Sequence, residues 1–359
     1  MRNQRFSRHG TPFLMLDLRL AIFSSAAVTL ALAAGAVEPR RPGQDAFLTK
    51  AVFAEGRLWM RSDAGIVFSV AEGELQRREE SLPGAVLDLC TKNGKLVVLT
   101  SEADAWTLRS REGADWIAET SIDAERRFGT LHCTAHDVTV VTQNRVFLIR
   151  DDRTRAVVLS RPLPGALVSS LYIEGDRLFV GLNRGEFGGG LVRVDLRTGL
   201  VTAVERRTNG LCGGPLNSAC DPVHGIAAEP WKPGCVVAAI GLIHMRSHGR
   251  LVEICDNDVR TLVSRRYKTG TSEGREERND IGTVAFFGLA RSDGVLVAAG
   301  IDGVYRVSAQ GFESKPLPPF KDVGGIKVSF DVPGVVLVLT DVNARHSLSG
   351  SVPLIVSRD

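Results

Sequence analysis

The sequence has 359 residues, of which 44% are hydrophobic and 24% are charged, and its formal net charge is +3. That excess belongs to residues 1–36, which hold four arginines and one aspartate, whereas residues 37–359 hold 40 basic and 40 acidic residues. A neutral chain lacks the basic surface that nucleic-acid binding requires, so nucleic acid is excluded as a partner.

The first 36 residues have the pattern of a secretory signal peptide. An apolar run, LAIFSSAAVTLALAAG, ends in the small residues Ala34, Gly35 and Ala36, and no later segment is long and apolar enough to span a membrane. Four basic residues precede the run: Arg2, Arg5, Arg8 and Arg19. We therefore expect residues 1–36 to be cleaved and the mature protein to be periplasmic or secreted. A retained membrane anchor is the alternative, although the run is short for a bilayer core that needs about 20 apolar residues.

From residue 46 onward, the chain repeats a unit of about forty residues made of short alternating strands and tight turns. The second strands of the units contain, in chain order, Leu58, Leu96, Val138, Leu178, Val237, Leu296 and Leu337. Their spacings are 38, 42, 40, 59, 59 and 41 residues. A third strand follows each one: GIVFSV, AWTLRS, RVFLIRD, GLVRVD, RLVEICD, GVYRVS and VPLIVSRD. Turn sequences such as NG and SDG between these runs indicate antiparallel strands.

A period near forty with four strands in each unit is typical of a β-propeller blade. We predict an all-β chain in which residues 37–359 form a single, monomeric β-propeller of seven blades, each with three to four antiparallel strands. A β-sandwich does not repeat at a fixed spacing, and the coils of a β-helix are much shorter than forty residues. The last blade ends after its third strand, so the ring closes through an N-terminal segment or keeps a three-stranded blade. Residues 37–45 contain two prolines and predict a poor strand.

Two stretches carry a resemblance to a known repeat family: EGRLWMRSDAGIVFSV at residues 55–70 and SDGVLVAAGIDGVYRVS at residues 292–308. Both resemble the blades of bacterial sensor-type, two-component regulator-like β-propellers, whose pattern runs D-x-x-G-x-L-W-x-G-T-x-x-G-L-x-R. The first stretch departs from that pattern at Met60 and Arg61, where the family has a small residue and a glycine. Similar units recur over most of residues 46–358. The resemblance implies a propeller fold and an exported domain for ligand sensing or protein interaction.

The unusual loops of the predicted propeller fall on one face, because turns between second and third strands emerge on the same side as the connections between blades. Five loops on this side are long or unusual in composition: residues 183–190, 208–225, 242–249, 268–280 and 341–350. Long loops in compact domains commonly carry function. We therefore predict a ligand- or protein-binding surface on the loop-rich face of blades 4 to 6.

The stretch NRGEFGGG, residues 183–190, supplies three of the predicted ligand-binding residues: Asn183, Arg184 and Glu186. Its glycines permit positive φ and close backbone approach. Phe187 in the same stretch is predicted to be buried. The alternative interpretation is a bulged hairpin in which Glu186 pairs with Arg184 or with a neighbouring loop.

Three histidines complete the predicted ligand-binding set: His224, His244 and His248. The segment HMRSH has the i, i+4 spacing of a zinc-binding helix, but it lacks the glutamate of H-E-x-x-H and is predicted to lie in a turn. If His224 folds over from the neighbouring loop, the three histidines form a site for a divalent metal. Solvent-exposed or hydrogen-bonded histidines are the alternative.

The chain has six cysteines, an even number that predicts disulfides in an exported protein. Six cysteines allow 15 pairings, but their positions in the predicted strands favour one: Cys235 with Cys255, Cys212 with Cys220, and Cys90 with Cys133. Metal binding through thiolates is disfavoured because no C-x-x-C pair occurs. Six free thiols are the remaining alternative.

Enzyme motifs are mostly absent from the sequence. It has no G-x-S-x-G elbow, no clustered Ser, His and Asp, no tryptophan-docking repeat in each blade and no S-x-D-x-G-x-T-W box. The first hypothesis is therefore a non-catalytic binding module for a protein or a small-molecule ligand, without a cofactor. The alternative is a metal-dependent lactonase- or esterase-like hydrolase with Asn183, Glu186 and Asp221 at the mouth of the same face. A structural role in an envelope assembly is a third hypothesis.

Overall fold

The computed structural model describes residues 48–74, 77–125, 128–150, 153–165, 167–210, 212–244, 246–268, 281–317, 323–342 and 352–358. The predicted signal peptide and residues 37–45 lie outside these ranges, as do most of the predicted loops at 268–280 and 341–350. All described residues belong to one compact unit, Gln44–Asp359. Within them, no helix has the length and apolar character needed to cross a membrane.

The strands form seven consecutive antiparallel sheets, the blades, of which the first six have four strands each. Blade 1 contains β1 (Leu48–Ala54), β2 (Arg57–Ser62), β3 (Val67–Ala71) and β4 (Arg78–Glu80). Blade 2 contains β5 (Ala85–Lys92), β6 (Lys95–Glu102), β7 (Ala105–Glu112) and β8 (Asp115–Asp123). Blade 3 contains β9 (Thr130–Cys133), β10 (Asp137–Val141), β11 (Arg145–Arg150) and β12 (Arg153–Val158).

The remaining blades carry the loop-rich part of the chain. Blade 4 contains β13 (Leu167–Glu174), β14 (Arg177–Asn183), β15 (Gly189–Asp195) and β16 (Val201–Val204). Blade 5 contains β17 (Val223–Ala228), β18 (Cys235–His244), β19 (Arg246–Cys255) and β20 (Asp258–Val263). A two-stranded sheet follows, made of β21 (Arg266–Lys268) and β22 (Ile281–Thr283). Blade 6 contains β23 (Phe286–Ser292), β24 (Val295–Gly300), β25 (Gly303–Ser308) and β26 (Gly311–Pro316). Blade 7 contains β27 (Val323–Ser329), β28 (Val335–Val342) and β29 (Val352–Ser357).

The innermost strands of the blades lie side by side around a complete ring. Each first strand contacts the first strand of the next blade, in the order β1, β5, β9, β13, β17, β23 and β27, and β27 contacts β1 again. A buried apolar cluster fills each of the seven seams between blades. The alternating strands are buried on both faces because each blade packs on two neighbours. The structure therefore confirms a seven-bladed β-propeller.

The ring closes between blades 7 and 1 by side-chain packing, and blade 7 has three strands in the described part of the chain. Leu48 and Met60 of blade 1 lie in one buried cluster with Leu337 and Leu339 of blade 7. The Ser329 hydroxyl also donates a hydrogen bond of 2.5 Å to the Ala51 carbonyl across this seam. Residues 37–45, which the other route to closure would use, lie outside the described residues.

The stretch 242–249 differs from the sequence prediction, because it continues two ten-residue strands and only residue 245 separates them. Gly241 and Gly249 are paired in this ladder. A Cβ on either glycine would lie within 2.5 Å of the backbone of residues 284–286. The glycines thus let blade 6 pack against the upper part of β18 and β19, and that packing supports the longer hairpin. His248 consequently lies in a strand and not in a turn.

Candidate functional site

The segment between β14 and β15 is a single 3-10 turn, Gly185–Phe187. The Asn183 side-chain oxygen accepts a hydrogen bond from the Gly185 N–H at 2.7 Å, and the Arg184 N–H donates to the Gly188 carbonyl at 2.7 Å. The run of glycines after the turn has φ values of 79° at Gly188, 145° at Gly189 and 83° at Gly190. Glycine adopts such angles without steric penalty, so the backbone conformation explains why three glycines follow one another here.

The same glycines place this turn directly against the 208–225 loop of the next blade. The Gly189 N–H donates to the Ser218 carbonyl at 3.0 Å, and the Gly190 N–H donates to the Asp221 carbonyl at 2.8 Å. A Cβ on residue 188 would lie 2.4 Å from the backbone of that loop. The close approach predicted for these glycines is therefore made to the neighbouring loop.

A buried ion pair between Asp221 and Arg250 holds the 208–225 loop in place. Asp221 is fully buried, and its Oδ2 accepts hydrogen bonds from Arg250 Nη2 at 2.5 Å and from the Asn217 N–H at 2.6 Å. Arg250 is also buried and donates to two backbone carbonyls of the same loop, at 2.7 and 3.1 Å. Burial lowers the pKa of Arg250, and the Asp221 carboxylate opposes that shift. Arginine stays protonated in proteins, so a charged pair holds the 208–225 loop, and we call this Asp221–Arg250 pair the clamp.

The Cys212–Cys220 disulfide closes the same loop, and the other predicted pairs, Cys90–Cys133 and Cys235–Cys255, are disulfides as well. His248 lies beside the clamp, with Nε2 at 3.2 Å from Asp221 Oδ1 and 2.9 Å from Arg250 Nη1. The covalent bond and the ion pair together give the upper rim of blades 4 and 5 a rigid support.

The same rim of blades 4 and 5 exposes three apolar side chains, Leu167, Phe187 and Ile243, and we call these residues together with the Glu186–His244 pair the blade 4–5 patch. The Phe187 side chain is 67% exposed, which contradicts its predicted burial, and Leu167 and Ile243 are 54% and 43% exposed. Glu186 Oε2 lies 3.0 Å from His244 Nδ1 on the adjacent blade. Glu186 thus pairs with His244 at the end of β18, and the role of Glu186 in ligand binding stays a prediction.

His224 occupies a different position from the other two histidines. It lies at a β-bulge near the start of β17, and its Nε2–H donates to the Gly241 carbonyl at 2.7 Å. Its ring also packs edge-on against Phe287, with centroids 5.3 Å apart. Burial lowers the pKa of His224 to about 4, so the imidazole is neutral at pH 7.

The six predicted ligand-binding residues therefore do not form one cluster. Glu186 and His244 meet at the patch, with Asn183 and Arg184 at the start of the adjoining turn, whereas His248 pairs with Asp221 and His224 lies half-buried in β17. One group of three His, Cys, Asp or Glu side chains with ligand atoms within 4.8 Å is found among the described residues, and it contains none of the six.

That group lies at the lower face of blade 5, which carries the turn between first and second strands. Glu229 is 3% exposed, neither of its carboxylate oxygens receives a hydrogen bond from a described group, and one of them lies within 4.8 Å of the Sγ atoms of Cys235 and Cys255. Burial and the nearby Glu253 carboxylate raise the pKa of Glu229 to about 7.

Glu253 is equally buried, at 1% exposed, but it is fully paired. It accepts hydrogen bonds from Lys232 Nζ at 2.7 Å and from Arg260 Nε and Nη2 at 2.7 and 2.6 Å. Burial alone would raise the pKa of Glu253, but the hydrogen bonds from Arg260 and Lys232 outweigh it and lower that pKa. The two glutamates therefore differ in charge near neutral pH, with Glu253 ionised and Glu229 close to half protonated.

Sequence reasoning missed Arg250, Glu229 and Glu253. Each has a signal that could have found it, because each interrupts an apolar run: GRLVEIC contains Arg250 and Glu253, and IAAEPW contains Glu229. A charged residue at a buried position of an alternating strand needs a partner. The pattern thus marks the residue, whereas the identity of the partner depends on loops from elsewhere in the chain.

No protein-family model matches the sequence, and no curated protein is significantly similar to it. Solved structures share the fold. The RRP9 WD40 repeats align with a TM-score of 0.55 at 10% identity, over 88% of this chain and 96% of that one. YCF48 from Cyanidioschyzon merolae aligns with a TM-score of 0.52 at 12% identity, over 88% of this chain and 97% of that one.

The extracellular domain of the one-component system BT4673 from B. thetaiotaomicron aligns with a TM-score of 0.50 at 13% identity. The match covers 83% of this chain and 38% of that one, so this chain spans well under half the length of that protein. At such identities the similarity is one of fold. It confirms, at that level, the resemblance to sensor-type propellers that the blade sequences indicate.

Proposed function

We propose that this protein is an exported, non-catalytic β-propeller that binds a segment of another protein through the blade 4–5 patch. The observation that carries the proposal is the exposed Phe187, which lies on a 3-10 turn that packs against the loop clamped by Arg250. An exposed aromatic side chain that lies on one rim with other exposed apolar side chains marks a surface for a partner. Aromatic anchors on rigid supports are typical of binding surfaces, because little conformational entropy is lost when they are covered.

The polar side chains beside the patch indicate which kind of peptide it binds. Glu186 and His244 are each about half exposed and form a polar edge beside the apolar side chains. Such an arrangement of an apolar centre with a polar rim fits a peptide that inserts one apolar side chain and makes hydrogen bonds around it. The three disulfides support export, because disulfides persist in oxidising compartments. Cleavage of residues 1–36 is part of the proposal.

The test is selection of binding peptides from a displayed random library on the protein of residues 37–359. Affinities of the selected peptides are then measured for the wild type, for Phe187→Ala, and for the control Leu200→Ala. Leu200 is 56% exposed and follows the same blade's third strand on the opposite face. Removing an anchor side chain costs about 2 kcal/mol or more, so Phe187→Ala should weaken binding about 30-fold or more. Equal affinity for the wild type and Phe187→Ala would contradict the proposal.

The hydrolase alternative rests on one observation at the same surface. Glu186 and His244 are both ordinary metal ligands, and their facing atoms are 3.0 Å apart. Metal analysis of the wild type, Glu186→Ala and His244→Ala tests this alternative. A stoichiometric divalent metal that either substitution removes would place the hydrolase first and would call for a screen of lactone and ester substrates.

A further inference from the structure

The Cys235–Cys255 disulfide joins two directly opposed residues of the β18–β19 ladder, and its two sulfurs have different surroundings. Cys235 is 5% exposed, whereas Cys255 is partly exposed at the lower end of its strand. An external thiolate can therefore reach the sulfur of Cys255 more readily than that of Cys235. Attack there releases the sulfur of Cys235 as a thiolate in a buried position, where an unneutralised charge is costly.

Glu229 is placed to neutralise that thiolate. Its carboxyl group lies within 4.8 Å of both sulfurs, it is buried, and neither oxygen receives a hydrogen bond from any described group. Structural carboxylates at such depth are normally paired, as Glu253 is with Lys232 and Arg260. Glu229 instead shares its proton with the Glu253 carboxylate, so a buried acid beside the disulfide is available for proton transfer.

We propose that the Cys235–Cys255 disulfide is a redox-active site that exchanges with dithiols, and that Glu229 donates the proton to the leaving sulfur of Cys235. The site lies on the opposite face from the blade 4–5 patch and does not depend on the function proposed for that patch. The substrate class is a dithiol, either a small molecule or a pair of neighbouring cysteines on another protein.

Exchange with the dithiol proceeds by two successive displacements at sulfur. The first thiolate of the dithiol attacks Cys255 Sγ, forms a mixed disulfide, and breaks the bond to Cys235 Sγ, which takes the proton of Glu229. The second thiol of the dithiol loses its proton to water, and its sulfur displaces the Cys255 thiolate, which takes a proton from water. Glu229 then regains a proton from water. Two electrons pass from the dithiol to the protein, which ends with two thiols.

Three charged groups face the Glu229 carboxyl and set the pH range in which it can donate a proton. Glu253 is anionic and holds back the ionisation of Glu229, while Lys232 and Arg260 favour that ionisation. Both cations are bonded to Glu253, so the net field at Glu229 is moderate. As the pH rises through about 7, Glu229 loses its proton and can no longer donate it. Exchange at this disulfide should then slow relative to the concentration of attacking thiolate.

The experiment measures reduction of each of the three disulfides in the folded protein of residues 37–359. Dithiothreitol is added between pH 5.5 and 8.5, samples are quenched in acid, free thiols are alkylated, and each cysteine pair is quantified by mass spectrometry after digestion. Rates are divided by the thiolate concentration. The variants are Glu229→Gln, which keeps the shape but cannot donate a proton, and Glu229→Asp, which keeps the acid. Near-UV circular dichroism reports whether each protein stays folded.

We expect the Cys235–Cys255 pair of the wild type to be reduced in the folded state, with a thiolate-referenced rate that falls as the pH passes through 7. General acid catalysis contributes about 100-fold or more, so reduction of this pair in Glu229→Gln should be slower below pH 7 by about that factor. The thiolate-referenced rate of Glu229→Gln should not decrease as the pH passes through 7, whereas that of Glu229→Asp should still decrease. The Cys90–Cys133 and Cys212–Cys220 rates serve as internal controls and should not change. Equal rates in the wild type and Glu229→Gln, or reduction of all three pairs only on unfolding, would overturn the proposal.

Discussion

His224 shows how one half-buried side chain can make a fold sensitive to acid. Its ring is neutral in the folded protein because burial lowers its pKa to about 4, whereas an unfolded chain protonates histidine near pH 6.5. Above pH 6.5 neither state binds the proton. Between about 6.5 and 4 only the unfolded state binds it, so the free energy of unfolding falls as the pH falls.

Replacement of His224 by glutamine should remove this part of the acid sensitivity. A glutamine amide can still donate to the Gly241 carbonyl, which His224 does at 2.7 Å. Relative to the wild type, His224→Gln should gain up to about 3 kcal/mol in unfolding free energy between pH 6.5 and 4, from about 1.4 kcal/mol per pKa unit. Urea unfolding at several pH values measures the difference, and parallel profiles for the two proteins would contradict it.

Glu229 should act in the opposite direction. Its pKa in the folded protein is raised to about 7 by burial and by Glu253, so the folded state keeps a proton that the unfolded chain loses near pH 4.5. The stabilisation is complete below pH 4.5 and is lost as the pH rises through about 7.

For the variant Glu229→Gln, which does not titrate, we expect a gain of about 1–3 kcal/mol over the wild type between pH 5 and 8. Urea unfolding of oxidised protein measures this gain without any reductant. The result is thus independent of the redox proposal. A constant difference between the two proteins across this pH range would show that Glu229 does not titrate there.

At the scale of the element, the 208–225 loop depends on the Asp221–Arg250 pair. Removing one partner of a buried ion pair leaves the other charge unpaired and costs about 3–5 kcal/mol. Arg250→Met should therefore lower the unfolding free energy by about this amount, and adding Asp221→Asn should recover part of the loss. Arg150→Met is the matched control, because its ion pair with Asp137 is exposed and such pairs contribute at most about 1 kcal/mol. Equal effects of Arg250→Met and Arg150→Met, measured by urea unfolding, would contradict the clamp.

The strands themselves could be predicted from the sequence because alternation is local information. The runs around Leu58 and Leu337 both form second strands of blades, as their spacing predicts. Phe187 was predicted wrongly for a related reason: apolar character favours burial, but among the described residues this side chain is exposed on its turn. The partner of Glu186 depends on how blade 5 lies beside blade 4, and no local pattern carries that information.

At the scale of the whole molecule, the number of blades follows from the repeat, whereas the way the ring closes does not. Repeats predict that neighbouring units pack alike, but closure is one contact between the two ends of the chain. Ser329 and Ala51 meet at this contact although 278 residues separate them. Packing of the inner strands of blade 7 on blade 1 makes this contact in the described residues, whereas the N-terminal segment that could add a fourth strand to blade 7 lies outside them.

The closing seam should also open more readily than the seam between blades 3 and 4. Its buried cluster holds six residues within the described ranges, whereas the seam between blades 3 and 4 holds 13. Less buried apolar surface means a smaller free energy for opening, because burial contributes about 25 cal/mol per Å². Native-state hydrogen exchange should therefore show faster exchange of the β1 and β28 amides than of the β14 amides.

The variant Ser329→Ala tests whether the faster exchange arises at the seam between blades 7 and 1. It removes the hydroxyl that donates to the Ala51 carbonyl and should accelerate exchange in β1 and β27 while leaving β14 unchanged. Ser169→Ala is the matched control, because its hydroxyl donates to the Val223 carbonyl across the seam between blades 4 and 5. That variant should accelerate exchange locally in blades 4 and 5. Uniform exchange in all blades would mean that the ring opens as one unit, since a closed ring whose seams are equally strong has no preferred place to part.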